Sequence, residues 1–478
     1  MLPMQSQKSG ALKLWHTWWS LVRKLRPAFR RTRTFLWFAL ALMAISVRND
    51  LLGVTSLVRT LGLRERCYDR LLDCFHSRAL DLEGLTRGWV KLLLAALRPF
   101  LYTVNDRILL VADGIKAPKS GRKMPAVKKL HQESDNNTKP EFIFGHSCQV
   151  VALIVRAASS FLAVPLAGRI HEGAVFTNRD HRSLLDKLIL LINSLALSLP
   201  FYLIADTYYA AASIIRPLLQ SGQHLVAAVR SNSVAYAAPP APTSPRRGRP
   251  RLYGKKIRLK TLFEELDAFL SAPSPIYGEK NVQLRYRLID LYWRPAARLV
   301  RFVLVLHPER GRKILLATDL SLSGLEIIEL FGLRFKIEVC FKQAIYTLGT
   351  WAYHFWMRAM TPRPRCAGNQ HLHRKPRFYR DAVRRKIAAY HAHIQLGLIA
   401  QGLLQALALL CPAVVWRQFG SWLRTVRPGI LPSEFVVALA LRHSLPEFLA
   451  DLPQDHSLAL FIRQRLDLGR TEGLRLAA

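Results

Sequence analysis

The sequence is poor in acidic residues and in cysteines for its length. Asp and Glu number 32 against 70 Lys and Arg, which gives a formal net charge of +38 over 478 residues. The six cysteines form no Cys-x-x-Cys pair and no zinc-finger spacing, so we exclude a zinc-finger protein and expect small buried thiols in a reducing compartment. The deficit of acidic residues favours a polyanionic partner, either a nucleic acid or an anionic membrane surface.

Long uninterrupted apolar segments are also scarce, and no secretory signal is evident. Residues 35–47 are apolar but too short to cross a bilayer, and no small-residue cleavage motif lies nearby. Residues 394–416 carry no Asp, Glu, Lys or Arg, but three glutamines and one proline interrupt them. We therefore expect a core or dimer-forming helix there, with a membrane span as the alternative. The expected location is the cytoplasm, in association with the nucleoid.

Residues 1–100 are basic and have helical periodicity. Within them, residues 53–75 predict two short amphipathic helices around a Leu-Gly-Leu turn, typical of a helix-turn-helix whose second helix binds DNA. The alternative is an ordinary helical hairpin with a solvated basic face. The arginines expected to contact DNA are Arg64, Arg66 and Arg70.

The rest of the chain divides into strand-rich and helical regions. Residues 101–236 alternate buried-type strands with a helix, which indicates an α/β core. A linker rich in Pro and Arg and three further strands predict a β-rich insertion over 237–320. We expect a core helix within 321–360 and a helical C-terminal region over 361–478.

A long basic stretch follows the first core strand. Residues 116–141 lack apolar periodicity, and a loop of this length in a compact domain is typical of a functional segment. We expect it to follow the phosphates of DNA. Its candidate contacts are Lys116, Lys119, Arg122, Lys123, Lys128 and Lys129.

Two apolar strands each end in Ala-Asp, at Asp113 and at Asp206. A single such ending is typical of a turn, but two neighbouring parallel strands would bring both carboxylates to one edge of the sheet. Close carboxylates repel each other unless a cation compensates, and Mg²⁺ is the hard cation that prefers oxygen ligands. A third carboxylate would complete a two-metal site, and the two candidates are Glu338 and Asp319.

We prefer Glu338 because of the basic residues that share its helix. Arg334, Glu338 and Lys342 recur every four residues, and Phe331 lies one turn earlier. The alternative is a charge ladder that only stabilises the helix, but Arg preceding Glu is the less favourable order for such a pair.

Taken together, the Ala-Asp strand ends, the basic loop and the stretch "LFGLRFKIEVCFK" resemble the DDE transposases of bacterial insertion sequences. The group that fits best has a Tyr-Arg-Glu-Lys signature. Arg334 and Glu338 match it, whereas Phe331 stands at the Tyr position and Ile345 at the Lys position. Lys342 is then expected to replace the missing lysine. The resemblance implies an α/β fold with an RNase H-like catalytic core, interrupted by a β-rich insertion and flanked by helical N- and C-terminal regions.

The resemblance also implies a mechanism. Asp113, Asp206 and Glu338 would hold two Mg²⁺ ions, with Mn²⁺ as a possible substitute, to cut the element ends and join them to target DNA. Arg334 and Lys342 would neutralise the scissile phosphate, while Phe331 and Tyr208 would stack on an unpaired base or pack in the core.

The partner implied is double-stranded DNA bound by a homodimer, with no small-molecule cofactor and no membrane. Two other functions stay open: a metal-dependent nuclease of the same core without strand transfer, and a non-catalytic DNA-binding regulator.

Overall fold

The computed structural model describes residues 4–132, 140–240, 251–420, 426–427, 429–452, 456–467 and 469. Its strands are β1 (Thr103–Val104), β2 (Arg107–Pro118), β3 (Lys128–His131), β4 (Phe142–Ala157), β5 (Ser160–Ile170), β6 (Ala174–Val175), β7 (Phe201–Ala205), β8 (His224–Val229), β9 (Val234–Tyr236), β10 (Lys256–Arg258), β11 (Leu270–Pro273), β12 (Gln283–Trp293), β13 (Arg298–His307), β14 (Gly311–Ala317) and β15 (Gln370–His371). Its helices are α1 (Met4–Arg23), α2 (Thr32–Val47), α3 (Gly53–Thr60), α4 (Cys67–His76), α5 (Leu82–Ala96), α6 (Leu184–Ser194), α7 (Ala212–Gln220), α8 (Gly324–Gly332), α9 (Lys336–Tyr346), α10 (Arg377–Leu410), α11 (Pro412–Gln418), α12 (Glu434–Asp451) and α13 (Ser457–Arg463).

Five strands form the core of the main sheet, in the order β5-β4-β2-β7-β8. The pairs β5–β4 and β4–β2 are antiparallel, whereas β2, β7 and β8 run parallel to one another. All five residues of β7 are buried, as expected for a parallel strand covered on both faces. This order and these directions confirm the predicted RNase H-like core.

The sheet continues beyond β8 into the insertion. Strand β14 pairs antiparallel with β8, and β13, β12 and β9 follow in order. Strands β12, β13 and β14 confirm the three strands predicted for the insertion, and the turn between β13 and β14 contains Gly311 at a φ of +70°, which favours glycine. The insertion is therefore joined to the edge of the core by backbone hydrogen bonds. Residues 241–250 of the predicted linker lie outside the described residues.

Helix α10 lies across β5 and is buried over most of its C-terminal two thirds, residues 389–409. It is the one helix, within the described residues, that is long and apolar enough to cross a membrane, and 94% of its most apolar window is inside the protein. Gln395 and Gln405 donate to the carbonyl oxygens of Leu166 and Ala163 at 2.9 and 3.1 Å. These bonds satisfy amides that lipid would leave unpaired, so α10 is the expected core helix.

The N-terminal region contains the two predicted short helices, α3 and α4, joined at Gly62 with a φ of +57°. Helix α4 buries its apolar face against α2 and α10. The backbone after α13 also contacts this turn, because Leu63 and Leu466 form an isolated antiparallel bridge. The N-terminal helical region and the chain after α13 therefore meet beside α4.

Three predictions of local structure were wrong. Strand β2 does not end at Asp113 but continues to Pro118, because β4 pairs with it along that whole length. The long helix predicted around Glu338 is broken by a 3₁₀ turn at Leu333–Phe335. Residues 347–376, predicted to be largely helical, are mostly irregular, and prolines at 362, 364 and 376 remove the amide hydrogens that helices need.

Candidate active site

Asp113, within β2, and Asp206, just after β7, lie at the same edge of the core sheet. The parallel pairing of β2 with β7 ends at Val111 and Ile204, two residues before Asp113 and Asp206 respectively. The Oδ1 atom of Asp113 accepts a hydrogen bond from the Gly114 amide at 2.7 Å. Parallel pairing thus sets the two carboxylates side by side, as the sequence predicted.

Glu338 reaches the same edge through Arg334. Glu338 lies in the first turn of α9, and Arg334 lies in the preceding 3₁₀ turn. Arg334 Nη2 is 2.7 Å from Glu338 Oε1, while its Nη1 is 3.5 Å from Asp113 Oδ2. One guanidinium therefore bridges a core-strand carboxylate and a helix carboxylate.

Burial and neighbouring negative charge perturb Asp113. Burial raises its pKa to about 6, and the charges of Asp206 and Glu338 act in the same direction. The Gly114 amide and Arg334 oppose this rise without cancelling it. Asp113 is thus near two like charges that the Arg334 cation offsets in part, which is a common property of functional carboxylates.

The donor set fits a hard divalent cation. All three groups offer carboxylate oxygens, and the positive charge among them comes from Arg334. In the part of the chain that is described, no three His, Cys, Asp or Glu side chains are close enough to hold a metal ion as they stand. A bound ion would therefore require these carboxylates to come closer together than they are here.

Asp319, the competing third carboxylate, lies at the opposite edge of the sheet. It follows β14 and accepts hydrogen bonds from the Tyr202 hydroxyl at 2.6 Å and from the amide and hydroxyl of Ser321 at 2.9 and 2.7 Å. Burial alone would raise its pKa, but these hydrogen bonds lower it below the usual value. Tyr202 is near the start of β7, so Asp319 is remote from Asp206 at the other end of that strand.

A lysine that sequence reasoning missed lies beside this site. The ammonium of Lys313, on β14, is 5.1 Å from the centre of the Phe331 ring. Burial lowers the pKa of Lys313, while the charge of Asp206 opposes that shift. The signal was weak, because Lys313 is one basic residue at the start of an insertion strand. Lys342, which we expected to replace the missing lysine, is exposed on α9.

Phe331 lines a cavity of about 380 Å³ between the insertion and α8. Its other basic and aromatic lining residues are Tyr277, His307, Arg310, Lys313, Arg334 and Phe335. Tyr208 is outside this cavity lining, 52% exposed, with its ring 5.3 Å from that of Tyr209. Ile345, at the signature lysine position, is exposed.

Lys119 corrects one expectation about the basic stretch. Its side chain is only 4% exposed, and its ammonium donates to the carbonyl oxygens of Trp351 and Tyr353. It also lies 3.7 Å from the centre of the Tyr353 ring, and burial lowers its pKa to about 7. Lys119 is therefore removed from the expected phosphate contacts.

The other basic residues of that stretch lie nearer the surface. Arg122 and Lys123 donate to the carbonyl oxygens of Arg363 and Arg358 at 2.9 and 3.5 Å, which joins the stretch to the irregular segment 347–376. The remaining contacts are Lys116 to the His131 carbonyl at 2.5 Å, Lys128 to Glu172 at 3.3 Å and Lys129 to the Phe142 ring at 3.7 Å.

The three N-terminal arginines are exposed beside α4. Arg64 Nε donates to the Leu466 carbonyl at 3.1 Å, and Arg70 forms an ion pair with Asp73 at 3.5 Å. Arg66 lines a cleft next to α4.

Comparisons with known proteins bear on this arrangement. A family model described as "DDE superfamily endonuclease" matches residues 24–267, a span that includes both strand-end aspartates and stops before Glu338. The comparison with curated proteins gives no match. Among solved structures, the chain is similar to a piggyBac transposase synaptic complex with hairpin DNA, at 13% identity and a TM-score of 0.37 over 96% of this chain and 81% of that one. That likeness is too weak to carry an argument.

Proposed function

The chain belongs to the DDE superfamily of endonucleases, and from that premise we propose that it is a transposase that cuts the ends of its element and joins them to target DNA. Membership of the family confirms the resemblance to DDE proteins, and it makes the protein an enzyme. Strand transfer, the bound DNA and the roles of single residues belong to the proposal.

One observation carries it. Asp113 and Asp206 lie side by side where the parallel pairing of β2 with β7 ends, and the Arg334 guanidinium joins Asp113 to Glu338. A structural ion pair needs only one carboxylate, whereas here two further acidic groups raise the pKa of Asp113. Such a concentration of carboxylates around one exchangeable cation is suited to phosphoryl transfer.

DDE endonuclease domains generally use divalent metals. We infer that Asp113, Asp206 and Glu338 are the ligands here, and that two Mg²⁺ ions, or Mn²⁺ in their place, are the cofactors. When bound, such ions activate a water or a DNA 3′-hydroxyl for attack and stabilise the leaving oxygen.

The basic and aromatic side chains around the carboxylates have separate tasks in this proposal. Arg334, released from the carboxylates, would contact a phosphate oxygen near the scissile bond. Lys313 would neutralise charge from the insertion side, and Lys342 would contact DNA farther along α9. Phe331 and Tyr208 offer ring faces to an unpaired base.

The proposed substrate is double-stranded DNA, bound by two copies of the chain so that two element ends are held together. The net charge of +38 suits this partner, and so does the basic surface formed by Arg122, Lys123, Lys128 and Lys129. An enzyme of this kind would act in the cytoplasm on the nucleoid.

The test is incubation of purified protein with DNA that flanks its own gene, in the presence of Mg²⁺ and a supercoiled target. We expect defined cuts at the element ends followed by joining to the target, with both lost in Glu338→Gln. Asp319→Asn is the matched control, because it alters a carboxylate of the same sheet at the remote edge. Cutting without joining would support the nuclease instead, and DNA binding without cutting in Mg²⁺ or Mn²⁺ would support the regulator.

A further inference from the structure

We propose that a second site, a cleft between the two ends of the chain, binds backbone phosphates of double-stranded DNA through four arginines. The cleft has a volume of about 550 Å³. Its arginines are Arg33 in the first turn of α2, Arg66 just before α4, Arg70 on α4 and Arg465 just after α13. This inference rests on the proposed function only in taking DNA as the ligand.

The positive charge of the cleft is poorly balanced. Asp69 is the acidic residue among its lining residues. The ion pair of Arg70 with Asp73 is highly exposed on both sides, so it is weak and leaves Arg70 available to an anion. Within the described ranges, neither Arg33 nor Arg66 forms an ion pair. Several guanidinium groups thus converge with one carboxylate between them, an arrangement that an anion would stabilise.

Electrostatic and packing details show that these groups are close together. Burial lowers the pKa of Arg465, and the positive charges of Arg33 and Arg66 contribute in the same direction. The guanidinium carbon of Arg465 lies 3.4 Å from the centre of the Phe461 ring and 5.1 Å from that of Trp37. Packing therefore holds these arginines near one another although their positive charges repel.

The backbone fixes this geometry before any ligand binds. The Arg64 amide donates to the Arg465 carbonyl at 2.9 Å, and the Asp467 amide donates to the Gly62 carbonyl at 2.8 Å. The chain after α13 is thereby attached to the turn between α3 and α4. A site whose side chains are already placed loses less conformational entropy on binding, which favours affinity.

The lining favours a phosphate group over a nucleotide or a base. Trp37 is the aromatic residue that lines the cleft, but its ring packs edge-on against Phe461 at 5.0 Å and Arg465 lies over it. It has no free face on which a base could stack. Planar guanidinium groups, in contrast, match phosphate oxygens with paired hydrogen bonds.

The surroundings favour a DNA backbone over a free phosphate ion. Arg30 and Arg31 are exposed directly before Arg33, and Arg64 is exposed beside Arg66. The positive surface is therefore longer than one phosphate needs and can accompany successive phosphates. Such contacts orient DNA without reading its sequence. Arg64, Arg66 and Arg70 would then hold the backbone, in contrast to the base contacts of a recognition helix.

The experiment compares two pairs of substitutions in a Glu338→Gln chain, so that bound DNA is not cut. The cleft pair is Arg33→Gln with Arg66→Gln, two exposed residues whose replacement leaves the packing of Arg465 intact. The control pair is Arg87→Gln with Arg98→Gln, two exposed arginines of the same helical region outside the cleft. Affinity for double-stranded DNA is measured over a series of KCl concentrations.

We expect the slope of log affinity against log [KCl] to fall in magnitude by about two for the cleft pair and by less than about half a unit for the control pair. The loss should be the same for DNA of unrelated sequence. Equal changes in both pairs would overturn the proposal, since they would reflect total charge alone. Inorganic phosphate that raises the melting temperature only when the cleft is intact, with an unchanged DNA slope in the cleft pair, would assign the cleft to a free anion and also overturn it.

Cleavage is measured separately, in chains that retain Glu338. If the salt slope falls in the cleft pair but the unmodified chain does not cut DNA, DNA binding by the cleft is supported and the transposase proposal is overturned. If the unmodified chain cuts DNA but the slope of the cleft pair is unchanged, the transposase proposal is supported and the cleft proposal is overturned.

Discussion

The two ends of the core sheet each carry an aspartate beside a strand, but their surroundings differ. At one end Asp113 is near two other acidic residues and shares the Arg334 cation with Glu338. At the other end Asp319 accepts hydrogen bonds from Tyr202 and Ser321, which are neutral donors. The pKa of Asp113 is raised and that of Asp319 is lowered.

This difference separates a structural carboxylate from one suited to catalysis. Neutral donors satisfy the Asp319 charge where it is, so no further cation is needed. The Asp113 edge keeps an excess of negative charge that Arg334 offsets only in part. An apolar strand followed by Asp is thus a signal with two outcomes, and the neighbouring elements decide between them.

The largest expected effect comes from neutralising one carboxylate at each end. Asp206→Asn should reduce the rate of DNA cleavage by more than about a hundredfold, because it removes a proposed metal ligand. Asp319→Asn should change that rate by less than about threefold, since Asn keeps a hydrogen-bond acceptor for Tyr202. Single-turnover cleavage of element-end DNA measures both. Equal losses would remove the distinction between the two ends.

A smaller effect should distinguish the two lysines, Lys313 and Lys342, near the Asp113 end of the sheet. Lys313→Met should slow cleavage about tenfold, because it removes a cation beside Asp206 and the scissile phosphate. Lys342→Met, on the exposed face of α9, should slow it by less than about threefold. DNA affinity is measured alongside, so that weakened binding is not mistaken for slowed chemistry. A reversed order would restore Lys342 as the substitute for the missing signature lysine.

Stability should respond with opposite signs at the two ends. In a chelator at neutral pH, Asp113→Asn should raise the free energy of unfolding by roughly 1 kcal/mol, because it removes a carboxylate that its neighbours disfavour. Asp319→Asn should lower that free energy by roughly 1 kcal/mol, since hydrogen bonds to a charged acceptor are lost. Urea denaturation monitored by tryptophan fluorescence measures both. With added Mg²⁺ the unmodified chain should have a higher free energy of unfolding than Asp113→Asn, the reverse of the order in chelator.

The smallest expected effect is in pH dependence. The folded pKa of Asp113 is about 6 and exceeds its unfolded value, so its contribution to stability is present below pH 4 and is lost as pH rises to about 6. The folded pKa of Asp319 is lowered, so its contribution is present above its unfolded pKa and is lost as pH falls through the folded value. Difference curves between each Asn variant and the unmodified chain, in chelator, isolate these terms. Difference curves of the same slope between pH 4 and 6 would contradict the assignment.

The parts of the fold that the sequence predicted are those with strong periodicity. Strands β2, β7 and β8 are continuous apolar runs, and β13 and β14 flank a turn with glycine, so local pattern was enough. The helical prediction for residues 347–376 was wrong. Their aromatic and apolar residues have a pattern typical of a helix, but their backbone forms hydrogen bonds with residues 122–129. Such long-range bonds leave no local signal.

The same limit applies to the site. The proximity of Asp113, Asp206 and Glu338 was predictable, because parallel strands and a following helix can pack together in few ways. Burial of Lys119 beneath the 351–353 backbone could not be foreseen, because lysine is rarely buried and its partners are carbonyl groups distant in sequence. Lys313 escaped notice for a related reason: the insertion strand lies next to Phe331 only in the folded sheet.

The most direct test of the central claim is equilibrium binding of Mn²⁺ in the absence of DNA, followed by electron paramagnetic resonance of the free ion. The account predicts binding by the unmodified chain that is weakened at least about tenfold in Asp206→Asn and in Glu338→Gln, and unchanged in Asp319→Asn. Binding that is indifferent to Asp206 and Glu338, or that depends on Asp319, would contradict the claim that the Asp113 edge is the metal-binding active site.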